Sequence, residues 1–112
     1  MSSKVSNLVG DGSFLSFANN LIKTPVLTVP EDGLYRITAY WESPQGSNAA
    51  LAIFWADDNG EQNFSPVAQW TGTIGTATFT VRAKSGSNIA LATTGGRSTD
   101  ITSLYYAIES LS

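Results

Sequence analysis

The sequence predicts an all-β fold, an antiparallel jelly-roll sandwich of about eight to ten short strands in a single domain. Three observations predict it. Short runs alternate apolar and polar residues with a period of two, the spacing of a half-buried strand. Clusters of Gly, Pro, Asn and Asp separate these runs at regular intervals. No stretch carries the i, i+3, i+4 apolar spacing of a helix. At 112 residues the chain can bury roughly two-thirds of the surface its unfolded form exposes, enough for one core. Residues 1–12 are expected as an N-terminal arm and 13–112 as the jelly-roll domain.

In chain order, Gly10-Asp11-Gly12 reads as a turn, and Ser13 to Phe17 alternates Phe14 and Ser16 against Ser13, Leu15 and Phe17. Pro25 to Val29 is a short strand closed by Pro30, which is tolerated only at an edge or an end. After the turn Glu31-Asp32-Gly33, Leu34 to Glu42 puts Tyr35, Ile37, Ala39 and Trp41 on one face and Arg36, Thr38, Tyr40 and Glu42 on the other. Ser43 to Asn48 is a loop by composition. Ala49 to Ala56 reads as a strand with apolar residues on both faces, and Asp57-Asp58-Asn59-Gly60 is a hairpin signal of the type I′ kind. Glu61 to Trp70 is a strand interrupted by Pro66, hence at a sheet edge. Thr71 to Gly75 turns into Thr76 to Ala83, where Ala77, Phe79, Val81 and Ala83 oppose the threonines and Arg82. Lys84 to Asn88 ends that strand, Ile89 to Thr94 is closed by Gly95-Gly96, and Ile101 to Leu111 sets Leu104, Tyr106 and Ile108 against Tyr105, Ala107 and Glu109.

Composition excludes several functions. There is no Cys and no His, so disulfides, thiolate metal sites and the commonest general base are absent. Six basic and nine acidic residues give a net charge of −3 with no basic stripe, which argues against nucleic acid. The longest apolar run, Ala49 to Ala56, is too short to span a bilayer, and Met1 to Asn7 leads into no apolar run of secretory length. The expectation is a protein made in a reducing cytoplasm without a signal peptide and with no membrane partner. Only 13% of residues are charged, and Ser, Thr, Asn and Gln supply the polar surface. This suits virion and extracellular β-proteins as well as a small neutral domain.

Val29-Pro30-Glu31-Asp32-Gly33-Leu34-Tyr35 with the strand behind it, Thr76-Ala77-Thr78-Phe79-Thr80-Val81 with Lys84 to Leu91, and the aromatic final strand resemble, in that order over residues 24 to 111, the jelly roll of the complement globular head and tumour necrosis factor superfamily. Gly33-Leu34-Tyr35-Arg36-Ile37-Thr38 is similar to its short bacterial and bacteriophage members, which serve as virion decoration proteins or fibre knobs. The closing strand reads Leu104-Tyr105-Tyr106-Ala107-Ile108 where the family carries a Phe-Gly-Phe-like phrase. The resemblance implies a homotrimer whose work is adhesion or capping. The function expected is that of a phage head decoration protein in the virion, binding the major capsid protein, or a fibre shaft in the case of a knob. The alternative is a knob or adhesin that binds a carbohydrate or receptor.

Association is also expected on physical grounds. A sheet with one wet face should alternate apolar and polar, yet Ala49 to Ala56 offers Leu51, Ile53 and Trp55 on one side and Ala50, Ala52, Phe54 and Ala56 on the other. Phe54, Tyr105 and Tyr106 are therefore the expected subunit-interface residues. The polar segment Ser2 to Val9 is expected as a docking arm, with Ser2, Ser3 and Lys4 touching the capsid and Tyr40 and Trp70 touching capsid or ligand. Tyr40, Trp70 and Tyr105 also suit stacking on a surface glycan, although large aromatics more often serve cores and interfaces.

The groups that could carry chemistry are few. Asp57, Asp58, Asn59 and Glu61 offer oxygens to a hard cation, but they lack the alternate spacing of a calcium loop and read as a turn. No metal or cofactor is expected. A nucleophile would need Ser or Thr with Lys as base, and Lys4, Lys23 and Lys84 all fall in ends or turns. Nothing in the sequence pairs Glu42 with Glu109 as catalytic carboxylates, so no catalytic residue and no enzyme is expected.

Overall fold

The computed structural model describes residues 7–47, 49–69 and 73–111, with the side chains of 65–69 excepted. Eight strands follow one another: β1 (Leu8–Phe17), β2 (Thr24–Thr28), β3 (Gly33–Glu42), β4 (Ala50–Asp57), β5 (Gly60–Gln69), β6 (Ile74–Ala83), β7 (Asn88–Thr94) and β8 (Thr102–Ser110). They form two antiparallel four-stranded sheets in the orders β1-β8-β3-β6 and β2-β7-β4-β5. That interleaving, with every connection except the β4–β5 hairpin crossing between sheets, is a jelly roll. The molecule is a single small all-β domain. Among the described residues no helix is long and apolar enough to cross a membrane.

The core lies between the sheets and is built from the inward halves of the alternating strands. Tyr35, Ile37, Ala39 and Trp41 of β3 face Leu51 and Ile53 of β4 and Ile89 and Leu91 of β7, with Leu104 and Ile108 of β8 beside them. Tyr35 is 2% exposed, and its hydroxyl donates to the Glu31 carbonyl, tying the Pro30 to Gly33 turn to the strand that follows. A second loop locks onto that turn. Ser85 N donates to Asp32 Oδ1 at 2.7 Å, while Gly86 N and Val29 N donate to the Val29 and Ser87 carbonyls.

Both prolines inside strands sit where a missing N–H is tolerated. Pro25 is in edge strand β2, beside a register shift. Pro66 is in edge strand β5, inside the irregular stretch between the pairs Ile53↔Phe64 and Leu51↔Ala68.

Three local expectations change. First, β1 begins at Leu8, so residues 8–12 of the expected arm, including Gly10-Asp11-Gly12, are strand paired to β8. Second, the alternation of β1 slips at Ser16, whose φ is 52°. The register shifts between Phe14 and Phe17, so both phenylalanines pack on the core while Leu15 points out at 62% exposed. Third, the β4–β5 hairpin is not type I′. Among its residues only Gly60 has positive φ, and Asp57 Oδ1 accepts the Asn59 N–H at 2.8 Å, which holds the turn with the left-handed position moved to the glycine.

Candidate assembly face

The outward halves of β1, β8, β3 and β6 make one broad face. Cross-strand register assembles it in rows: Ser13–Tyr105–Tyr40–Thr76 near the centre, Asp11–Ala107–Thr38–Thr78 beside it, and Leu8–Glu109–Arg36–Thr80 beyond. The rings of Tyr40 and Tyr105 lie 6.1 Å apart, tilted by 51°. Arg36 Nε donates to Glu109 Oε1 at 3.0 Å, an ion pair between two partly exposed side chains that orders the surface more than it stabilises the fold.

Apolar side chains gather at both ends of this face. Leu8, Leu34 and Leu111 stand at one end, where Leu111 N donates to the Leu34 carbonyl. Leu15, Ile74 and Ile101 stand at the other, beside the Ser103–Glu42–Ile74 row. With the two tyrosines they account for eight of the ten large hydrophobic side chains that the described residues expose. Scattered exposed apolar residues are ordinary; their concentration on one sheet face is not.

Tyr40 Oη donates to Glu42 Oε2 at 3.5 Å. Its phenol is held above the ordinary value of 10.0, first because its neighbours take water from it, then because the Glu42 carboxylate opposes a second negative charge, with Tyr105 adding a smaller push. The phenol therefore stays neutral and able to donate across the physiological range.

The residues singled out from sequence fall in different places. Tyr40 and Tyr105 are brought together. Tyr106 faces the interior instead: it packs against the core, stacks on Phe14 with centroids 5.8 Å apart, and lies where a Cβ on Gly12 would be. Alternation along β8 allows only one of the adjacent tyrosines to face out. Phe54 is on the outer surface of the other sheet, so it shares no face with Tyr105. In its row, Ala50 and Ala52 are already buried within the single chain. Ser2, Ser3, Lys4 and Trp70 lie outside the described residues.

The acidic turn is occupied with structural duties. Asp57 caps the hairpin and accepts from Gln62 Nε2 at 3.3 Å, and Asp58 pairs with Arg82 at 3.1 Å. Among the described residues no three His, Cys, Asp or Glu side chains converge as a metal site. No motif or spacing marks Asp100, a carboxylate only 2% exposed. It accepts from Arg97 N, Nε and Nη2 and from Ser47 Oγ and so pins the β7–β8 loop to the loop after β3.

Comparison with known proteins supports the fold. No protein-family model matches the sequence, and no curated protein matches it. Among solved structures the chain is similar to a protein of the acid-stable capsid of Helicobacter pylori bacteriophage KHP30, with a TM-score of 0.52 and 10% identity over 96% of this chain and 89% of that one. It is also similar to a carbohydrate-binding module of the Cellvibrio mixtus lichenase 5A in complex with cellotriose, with a TM-score of 0.49 and 17% identity over 94% and 90%. The PRD1 vertex protein P5 gives 0.48 and 10% over 97% and 85%. At 10% identity the likeness to the KHP30 capsid protein is one of fold alone.

Proposed function

We propose that the chain is a non-enzymatic structural subunit of a virion, a phage head decoration protein that assembles as a homotrimer through the outer face of the β1-β8-β3-β6 sheet and binds the major capsid protein. The observation that carries this reading is the gathering of Tyr40, Tyr105 and six aliphatic side chains on that one face. Four strands about 4.8 Å apart and nine or ten residues long make a face of roughly 600 Å² before side-chain relief is counted. A standard pairwise interface takes about 800 Å² from each partner, more than this planar area, so a trimer must bury the whole face with its side-chain relief together with adjoining edges and loops. Arg36 and Glu109 neutralise one another inside it, while Asp11 and Glu42 on the same face must lie away from their counterparts in the assembly.

On this reading Tyr40 and Tyr105 are covered in the assembly and not free to stack on sugar. The segment ahead of Leu8, with Ser2, Ser3 and Lys4, serves as the docking arm, and each trimer adds several weak capsid contacts through high effective concentration. Cosedimentation with purified capsids of the encoding phage tests the docking. The complete chain should pellet with capsids, and a chain lacking residues 1–7 should not. Full binding by the shortened chain removes the arm from the account, and no binding by the complete chain removes the decoration role.

A further inference from the structure

On the opposite side of the sandwich, the outer face of the β2-β7-β4-β5 sheet carries a groove of about 370 Å³. Register explains the hollow. Pro25, Ala90 and Phe54 are neighbours in one cross-strand row, and the methyl of Ala90 is too short to fill the space between the proline and the phenyl ring. Phe54 gives one wall, half-buried, with Lys23 Nζ seated 4.6 Å from the ring centre. Glu61 and Asn88 give the other. Asn88 Oδ1 already accepts from Thr28 Oγ1 at 3.1 Å, which leaves its amide N–H groups for a ligand.

We propose that this groove binds a neutral saccharide. The ligand lays the C–H face of a pyranose ring on Phe54 and hydrogen-bonds through its hydroxyls to Lys23, Glu61 and Asn88. The positive Lys23 and the negative Glu61 cancel across the groove, which favours neither a net anion nor a net cation. The site offers donors and acceptors side by side, and a hydroxyl is the group that both donates and accepts. A ring face that attracts an ammonium also attracts the weakly positive C–H face of a sugar, and the exposed, flexible Lys23 stem lets its ammonium swing from the ring to a ligand oxygen. The volume is at the small end of the roughly 300–1,000 Å³ of small-molecule sites, which suits a mono- or disaccharide. The proposal does not rest on the trimer: the groove and the assembly face lie on opposite sheets, so each can fail without the other.

The test is amide chemical-shift mapping on the intact chain during titration with cellobiose, lactose, N,N′-diacetylchitobiose and their monosaccharides to millimolar concentration. At least one sugar should give saturable shifts centred on Phe54, Ala56, Asn88 and Ala90, and Phe54→Ala should weaken that sugar by about tenfold. Asn88→Ala, at an exposed position, provides a second reading should Phe54→Ala disturb the sheet. Three results overturn the proposal: no saturable shift with any of these sugars, shifts centred on Tyr40 and Tyr105 instead, or tighter binding of a sugar sulfate or an acidic peptide than of every neutral sugar.

Discussion

Gly75→Ala should destabilise the protein although alanine suits a strand better than glycine. Gly75 pairs directly with Trp41, and the indole lies flat over the glycine: a Cβ there would sit 2.3 to 2.4 Å from three indole atoms. Ordinary carbon contact is about 3.5 to 4.0 Å, so the ring must retreat by about 1 Å or more. It has little room to do so, because Trp41 is 3% exposed in a close-packed core. Overpacking of this kind costs about 1 to 3 kcal/mol, against a gain of about 0.5 to 1 kcal/mol from removing a strand glycine. A clash this deep belongs at the upper end of that cost, about 2 to 3 kcal/mol, so the expected net loss is about 1 to 2.5 kcal/mol, a fall in Tm of roughly 4 to 10 °C for a domain of this size. Gly10→Ala is the control. Its new Cβ would meet Leu27 Cδ1 at 3.4 Å and the Val26 carbonyl oxygen at 3.9 Å, both ordinary contacts, so the same chemical change should be neutral or stabilise by up to about 1 kcal/mol. Thermal unfolding followed by circular dichroism reads both variants. Equal effects, or a Gly75→Ala variant as stable as the parent, would refute the placement of the indole and with it the β3–β6 register.

Three further outcomes are expected. Tyr35→Phe removes the hydroxyl bond to the Glu31 carbonyl and should cost about 0.5 to 1.5 kcal/mol in urea denaturation with an unchanged m-value. Asp100→Ala leaves the Arg97 N–H and the Ser47 hydroxyl without their buried acceptor and should cost about 2 kcal/mol, little of it from the ion pair, since Arg97 is largely in water. In an ultraviolet titration the Tyr40 phenol should ionise later than the ordinary value of 10.0; Tyr40→Phe should remove its contribution to the difference spectrum and Glu42→Gln should move it earlier. Because the folded chain holds this proton more tightly than the unfolded one, Tyr40's contribution to stability is complete below pH 10.0 and is lost as pH rises through its raised folded pKa.

Much of the fold was legible because period-two alternation depends only on neighbouring residues. Tyr35, Ile37, Ala39 and Trp41 read as an inward row and are one, and the split of β8 into Leu104, Tyr106 and Ile108 against Tyr105, Ala107 and Glu109 also holds. Glycine misled where it acts as a strand residue. Gly10 and Gly12 read as a turn, yet the small residues admit Leu27 and the Tyr106 ring. Ser16 gave no local sign of the positive φ that turns Phe17 inward. Candidate site residues were legible one at a time but not as a face. Pairing Tyr40 with Tyr105 needs the β3–β8 register, and separating Phe54 from both needs the strand order of two sheets, which alternation alone does not supply. Asp100 was invisible because its partner Ser47 is far away in the chain.

Sedimentation velocity of the intact chain, at micromolar concentration and after serial dilution, tests the assembly claim most directly. The account predicts one species with the mass of three 11.9 kDa chains, converted to single chains by a Tyr40→Lys, Tyr105→Lys double variant that keeps its β-sheet circular dichroism. A parent protein that sediments as a monomer at every concentration would contradict it.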